Sequence, residues 1–283
     1  MSNDKEKQNI RSRLNTHILP FIGDMKIAIL TTIDILPLLQ RLSNAGKHEM
    51  SRRVKQIVSQ VFRYGILTGH CNTDPTYALR GFISAPKPGH FASLTKSADV
   101  AQLLRSIDAY PHPIVRYAMQ FSALVFLRPG EVRHLEWAEI ESGEIRIPEK
   151  KMKMDRPHIV PLATQTIELL QKTQQLTGHG KYVFPSNRAP KGDRPMSENT
   201  VLVALRSMGY TNEQMTAHGF RHMASTLLNE NGFNRDWIER QLAHVEGNSV
   251  RAAYNYAEYL PERRKMMQWF ADYLDELRGI LKG

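Results

Sequence analysis

The chain has 283 residues, which suits two domains better than one small core, and 38 Lys and Arg against 28 Asp and Glu leave a formal charge of +10. That balance favours a polyanionic partner. Nucleic acid is favoured over a membrane, because no apolar run approaches the ~20 residues that span a bilayer. The single cysteine, Cys71, excludes an internal disulfide framework and suits a reducing bacterial cytoplasm. The opening MSNDKEKQNIRSR lacks the apolar core of a secretory signal, and no Cys/His spacing makes a zinc finger.

The basic excess is uneven: residues 1–90 carry 13 Lys and Arg against 6 acids, and residues 91–283 carry 25 against 22. The first segment reads as three helices, to about Ile18, from Thr32 to Ser43, and from Glu49 to Thr68. The cap-like Thr31-Thr32-Ile33-Asp34 announces the second, whose apolar stripe is Ile33, Leu36, Leu38, Leu39 and Leu42. The third sets Val54, Ile57, Val58, Val61 and Phe62 on one side and leaves Arg52, Arg53, Lys55 and Arg63 for solvent or phosphate.

Prolines and glycines in GFISAPKPGHFASL mark a linker, taken as 86–96, between a first domain over 1–85 and a second over 97–283. Beyond it helices are expected over Ser97–Ala109 and Pro113–Leu127. Short strands follow at Trp137–Ile140, Glu144–Ile147 and His158–Pro161, with turns at Glu141-Ser142-Gly143 and Lys150–Asp155. After a loop at Pro185–Pro195 the chain reads as helical to its end, with Met266, Met267, Trp269, Phe270, Tyr273, Leu274 and Leu277 as an apolar stripe read as local core before interface. The fold class is therefore mostly α with a small antiparallel sheet, a helical domain followed by an α+β domain.

Four polar groups in the second segment exceed what a packed core requires. Arg128, at a Pro-Gly turn where a new helix begins, offers a planar fork to an anion. Lys150, Lys151 and Lys153 crowd a strand-connecting turn. His218-Gly219-Phe220-Arg221-His222 sets His218 and Arg221 one helical turn apart. The His218/His222 pair lacks the glutamate of a zinc-protease helix, so no metal is assigned. His244 is then followed ten residues later by Tyr254. Each group is ordinary alone; the order arginine, lysine, His-x-x-Arg, histidine, tyrosine is not.

In that order, and in ILPFIGDMKI, SRRVKQIVSQVFRYGILTGHCNTDP, KMKMDRPHIVPL and AHVEGNSVRAAYNYAEYLPERRKMMQWFADYLDEL, the chain resembles the tyrosine recombinase (phage integrase) family, especially integrases of satellite phages and genomic islands. The resemblance runs over nearly the whole chain. It implies a helical core-type DNA-binding domain followed by a catalytic domain that forms a covalent 3′-phosphotyrosine. Arg128 and Arg221 become the catalytic arginines, Lys153 the hairpin lysine, His218 and His244 the histidines, Tyr254 the nucleophile and Glu131 a supporting acid. The DNA-binding candidates remain Arg52, Arg53, Lys55 and Arg63. No cofactor is implied. The implied partners are duplex attachment-site DNA, other protomers in a DNA-bound tetramer, and accessory DNA-bending or excision proteins.

Two features depart from the family pattern. The chain starts just past where an arm-binding N-terminal domain would end, so that function is not expected of it. The His244-to-Tyr254 spacing is one longer than the wider family's, which leaves Tyr256 as a second candidate. Two alternatives to an integrase stay open from sequence: a type IB topoisomerase-like relaxing enzyme, and a catalytically idle regulator derived from an integrase.

Overall fold

A computed structural model describes residues 2–81, 92–152, 157–244 and 259–279, with side chains from residue 6 onward. The chain divides into two compact units, residues 1–90 and 91–283. Of the expected linker, residues 86–91 lie outside the described residues.

In the first unit α1 (Ser2–Arg13) runs on through a π-helical turn, Leu14–Ile18, into α2 (Leu19–Ile22), so the opening helical stretch ends four residues later than the sequence pattern implies. Next, α3 (Thr32–Asn44) starts where Asp34 accepts both the backbone N–H and the hydroxyl of Thr31, each at 2.8 Å, satisfying a donor that the first helical turn would leave open. It packs on α4 (His48–Leu67), and the Ser51 hydroxyl pins the two by donating to the Leu39 carbonyl at 2.9 Å.

The core here is Ile18, Ile22, Ile35, Leu38, Leu39, Leu42, Val54, Ile57, Val58, Phe62, Cys71 and Leu79. Three residues of the expected stripes are not in it: Ile33 is 79% exposed, Val61 is 45% exposed, and Leu36 is only partly buried against it. Ile35 replaces Ile33, which sits in the first turn, on the face away from α4 and toward solvent.

The second unit is built around α6 (Pro113–Val125), buried on nearly every face and surrounded by α5 (Ser97–Asp108), α8 (Thr164–Thr177), α9 (Thr200–Ser207), α10 (Gly219–Glu230) and the last helix, α12 (Leu260–Arg278). Two short helices, α7 (Pro129–Arg133) and α11 (Arg235–Gln241), are also present among the described residues. A three-stranded antiparallel sheet runs β1 (Ile140–Glu141), β2 (Glu144–Ile147), β3 (His158–Pro161). Ser142 and Gly143, both at positive φ (47° and 78°), make the two-residue turn whose twist matches the flanking strands.

Residues 137–140 correct the expected first strand. Glu139 accepts the Glu136 N–H at 2.9 Å and winds Trp137–Glu139 into a 3₁₀ turn, leaving only Ile140 and Glu141 to pair. Helix α8 escapes sequence periodicity because its buried face is partly threonine. Thr173 and Thr177 return their hydroxyls to carbonyls four residues back, at 2.7 and 3.2 Å, and so pack as core residues. The apolar stripe of α12 is core: Met266, Met267, Phe270 and Leu274 are fully buried.

Candidate active site

Two chain reversals in the second unit bring its polar residues together. Phe126 ends α6 in a left-handed conformation (φ 41°), a costly one for a bulky residue, and is held there by an edge-to-face contact with Phe270 at 5.4 Å. The reversal delivers Arg128 to the N-cap of α7. Glu131 then accepts both the Arg128 backbone N–H and its guanidinium at 2.8 Å, while Arg128 Nη2 donates to the Ala243 carbonyl at 2.9 Å. Ala243, after α11, is also left-handed (φ 48°).

Arg221, in the first turn of α10, is almost completely buried. Its Nη1 donates to the Phe126 carbonyl at 2.7 Å and its Nη2 to the Leu242 carbonyl at 2.6 Å, with His244 Nε2 a further acceptor at 3.3 Å. Both strained residues thus present their carbonyls to an arginine of the cluster. Burial first, and Arg128 second, lower the Arg221 pKa to about 10, so it remains a cation at neutral pH.

His218 is the N-cap of α10. Burial, then the positive charges of Arg221 and Arg128, lower its pKa against the opposing pull of Glu131, so the ring is neutral near neutral pH. Gly219 beside it is required by close approach: a Cβ there would stand 2.5 Å from the Ala92 carbonyl oxygen. Ser93 completes the contact by donating to the Gly219 carbonyl at 2.8 Å.

Arg128, Glu131, His218, Arg221 and His244 are therefore gathered in one place. Lys153, Tyr254 and Tyr256 lie outside the described residues. The neighbouring Lys151 is engaged elsewhere, paired with Glu136 at 2.6 Å and Glu139 at 2.8 Å.

Sequence reading missed three things here. Glu239 accepts from His244 Nδ1 at 2.8 Å. Behind the cluster, His158 Nε2 donates to the Gln241 carbonyl at 3.1 Å. The fully buried Arg263 of α12 donates to Gln241 Oε1 through Nε and Nη2 at 3.0 and 2.7 Å, and through Nη2 to the Ile159 carbonyl at 2.6 Å. None of these carries a sequence signal, because each depends on where α11 stops.

In the first unit, Arg52, Arg53, Lys55 and Arg63 line one groove of about 580 Å³ together with Arg80, Tyr77 and Asp74. They are less free than a solvated face implies. Arg52 and Arg53 both pair with Glu49, at 3.6 and 2.9 Å, and the part-buried Lys55 donates to the Leu79 carbonyl at 2.8 Å.

The phage integrase family pattern matches residues 94–260, and that of the phage integrase central domain matches residues 1–82. The chain belongs to the phage integrase family. It is 38% identical to the integrase of Enterobacteria phage P4, over 98% of this chain and 68% of that protein. Prophage integrase IntZ of Escherichia coli K12 is 34% identical, over 98% of this chain and 67% of that protein. In fold it matches a lambda integrase(75-356) dimer bound to a COC′ core site, with a TM-score of 0.71 at 21% identity over 86% of this chain and 88% of that one. A lambda integrase tetramer bound to a Holliday junction gives 0.70 at 22% identity, over 87% and 73%. This integrase is a tyrosine site-specific recombinase, and neither the topoisomerase nor the idle-regulator reading is favoured. Among the described residues no helix is long and apolar enough to cross a membrane.

Proposed function

We propose that this integrase cuts and rejoins duplex DNA at attachment sites through a 3′-phosphotyrosine on Tyr254, integrating or excising a mobile element. The convergence of Arg128, Arg221, His218 and His244 supports the reading, since two guanidiniums that meet on consecutive carbonyls beside two imidazoles make a locus for an anion. The scissile phosphate is held by Arg128 and Arg221, which offset the charge that builds on its non-bridging oxygens. His218 accepts the Tyr254 proton as the phenolic oxygen bonds to phosphorus. The bond to the 5′ oxygen breaks, and Lys153 supplies that oxygen's proton. His244 hydrogen-bonds the phosphate, and Glu131 fixes Arg128. One phosphodiester replaces another, so a 5′ hydroxyl of the partner strand reverses the step with no nucleotide or cofactor.

The first domain, with Arg52, Arg53, Lys55 and Arg63, clamps the duplex through phosphates. Exchange between two sites calls for four protomers on DNA, helped by accessory DNA-bending or excision proteins, at the bacterial nucleoid. The test is covalent trapping on a nicked attachment-site duplex. Tyr254→Phe should abolish the protein–DNA adduct and keep non-covalent binding, while Tyr256→Phe still forms it. An adduct that survives Tyr254→Phe overturns the assignment.

A further inference from the structure

Glu239 lies on α11, outside the residues given a role above, yet its carboxylate is aimed at the arginine cluster. Helix α11 stops at Gln241, and the left-handed Ala243 turns the chain back, so that residue 244 meets residue 239 twice. The His244 backbone N–H donates to the Glu239 carbonyl at 3.0 Å, and the ring donates from Nδ1 to Glu239 Oε2 at 2.8 Å. On its far side the ring accepts, at Nε2, from Arg221 Nη2 at 3.3 Å. A neutral imidazole that accepts at Nε2 carries its proton at Nδ1, the form a carboxylate behind Nδ1 selects. The hydrogen bond from His244 holds the Glu239 carboxyl below its usual range against the opposing effect of burial, with the charges of Arg235 and Arg221 adding to it, so it is anionic at working pH.

We propose that Glu239 is a positioning residue for the recombination reaction, orienting His244 so that Nε2 faces Arg221 and the scissile phosphate. The inference rests on the proposed role of His244. When a phosphate oxygen takes the place beside Nε2, the ring must donate from both nitrogens, and the carboxylate behind it compensates the added charge.

The experiment is single-turnover cleavage of a nicked attachment-site duplex at saturating protein, with the dissociation constant measured alongside. Glu239→Ala should slow cleavage about tenfold or more and leave the dissociation constant unchanged. Glu239→Gln, which keeps size and an acceptor for Nδ1–H but not the charge, should fall between Glu239→Ala and the parent, and it guards against a folding defect. In a His244→Ala background, Glu239→Ala should have no further effect. Parental cleavage by Glu239→Ala beside a slow His244→Ala overturns the inference alone, as does an undiminished Glu239→Ala defect in the His244→Ala background. Parental cleavage by His244→Ala instead removes the proposed role of His244, and this inference with it.

Discussion

Arg128 and Arg221 donate to the carbonyl oxygens of two consecutive residues, Ala243 at 2.9 Å and Leu242 at 2.6 Å. The guanidiniums assigned to the phosphate therefore also hold the peptide that carries His244, so their loss should be felt in folding as well as in chemistry. The effects should be unequal. Arg221 is 7% exposed and also satisfies the Phe126 carbonyl, and Arg221→Lys, with no fork, leaves at least one buried carbonyl unpaired at a cost of about 1–3 kcal/mol. The Arg128 side chain is 25% exposed, and water replaces its lost bonds, so Arg128→Lys should cost under about 1 kcal/mol. Cleavage should drop about 100-fold or more in both. Urea denaturation measures the stability difference, and equal losses would contradict the structural role of Arg221.

Arg263 should behave as a buried cation retained for geometry more than for stability. It bridges α12, β3 and the end of α11 through Gln241 and the Ile159 carbonyl, and burial lowers its pKa to about 9. Arg263→Ala removes the cation, strands Gln241 Oε1 and leaves a cavity, so it should cost about 3–5 kcal/mol. Arg263→Met with Gln241→Leu removes both side chains but leaves the Ile159 carbonyl without this donor, so it should recover part of that loss, because apolar packing often matches a buried polar pair. A double variant no more stable than Arg263→Ala in urea denaturation would show that the network cannot be replaced by packing.

The main helices and two of the three strands were legible because their periodicity and turn residues agree with their burial. Helix α8 was not, since threonine hydroxyls bonded to their own helix count as polar in a pattern and as apolar in a core. The site residues stood out through chemistry at fixed intervals, Arg128 at a Pro-Gly turn and His218-x-x-Arg221. What positions them was hidden, because Phe126 and Ala243 are left-handed and neither is glycine, asparagine or aspartate. Glu239 precedes His244 by five residues, which an uninterrupted helix would set on different faces; only the turn at Ala243 joins them.

His158 gives the fold a definite pH dependence. Its ring is buried, Nε2–H is spent on the Gln241 carbonyl, and Nδ1 is buried without a hydrogen-bond partner among the described residues. Burial, then the charges of Arg263 and Arg240, lower its pKa to about 3. The folded state keeps the ring neutral, while the unfolded chain takes up a proton below about 6.5. The unfolded state therefore binds more protons between about 6.5 and 3, and folding stability should fall with decreasing pH in that window. The slope approaches about 1.4 kcal/mol per pH unit, with no contribution above it. His158→Asn should remove this part of the slope. Urea denaturation of both proteins at pH 7 and pH 4.5 checks it, and parallel losses would mean that other groups carry the acid sensitivity.

The last prediction concerns the proton that the leaving 5′ oxygen needs. Of the lysines in the β2–β3 connection, Lys151 is held by Glu136, Glu139 and the His134 carbonyl, so Lys151→Ala should lower stability and leave the chemical step nearly intact. Lys153 is the proposed acid, and the rival reading is that it only attracts DNA. The two readings differ when the leaving group improves. Sulfur in place of the bridging 5′ oxygen departs as a thiolate, whose conjugate acid has a pKa of about 8.5 in the cysteine analogue and needs little protonation. Lys153→Ala should therefore cleave ordinary DNA far more slowly than the parent and approach the parental rate on the sulfur substrate. Arg128→Ala loses charge stabilisation and no proton donor, so it should stay slow on both. Single-turnover rates on the two substrates decide the matter. If Lys153→Ala is equally impaired on each, the lysine is not the acid, and the proton must come from His218 or water.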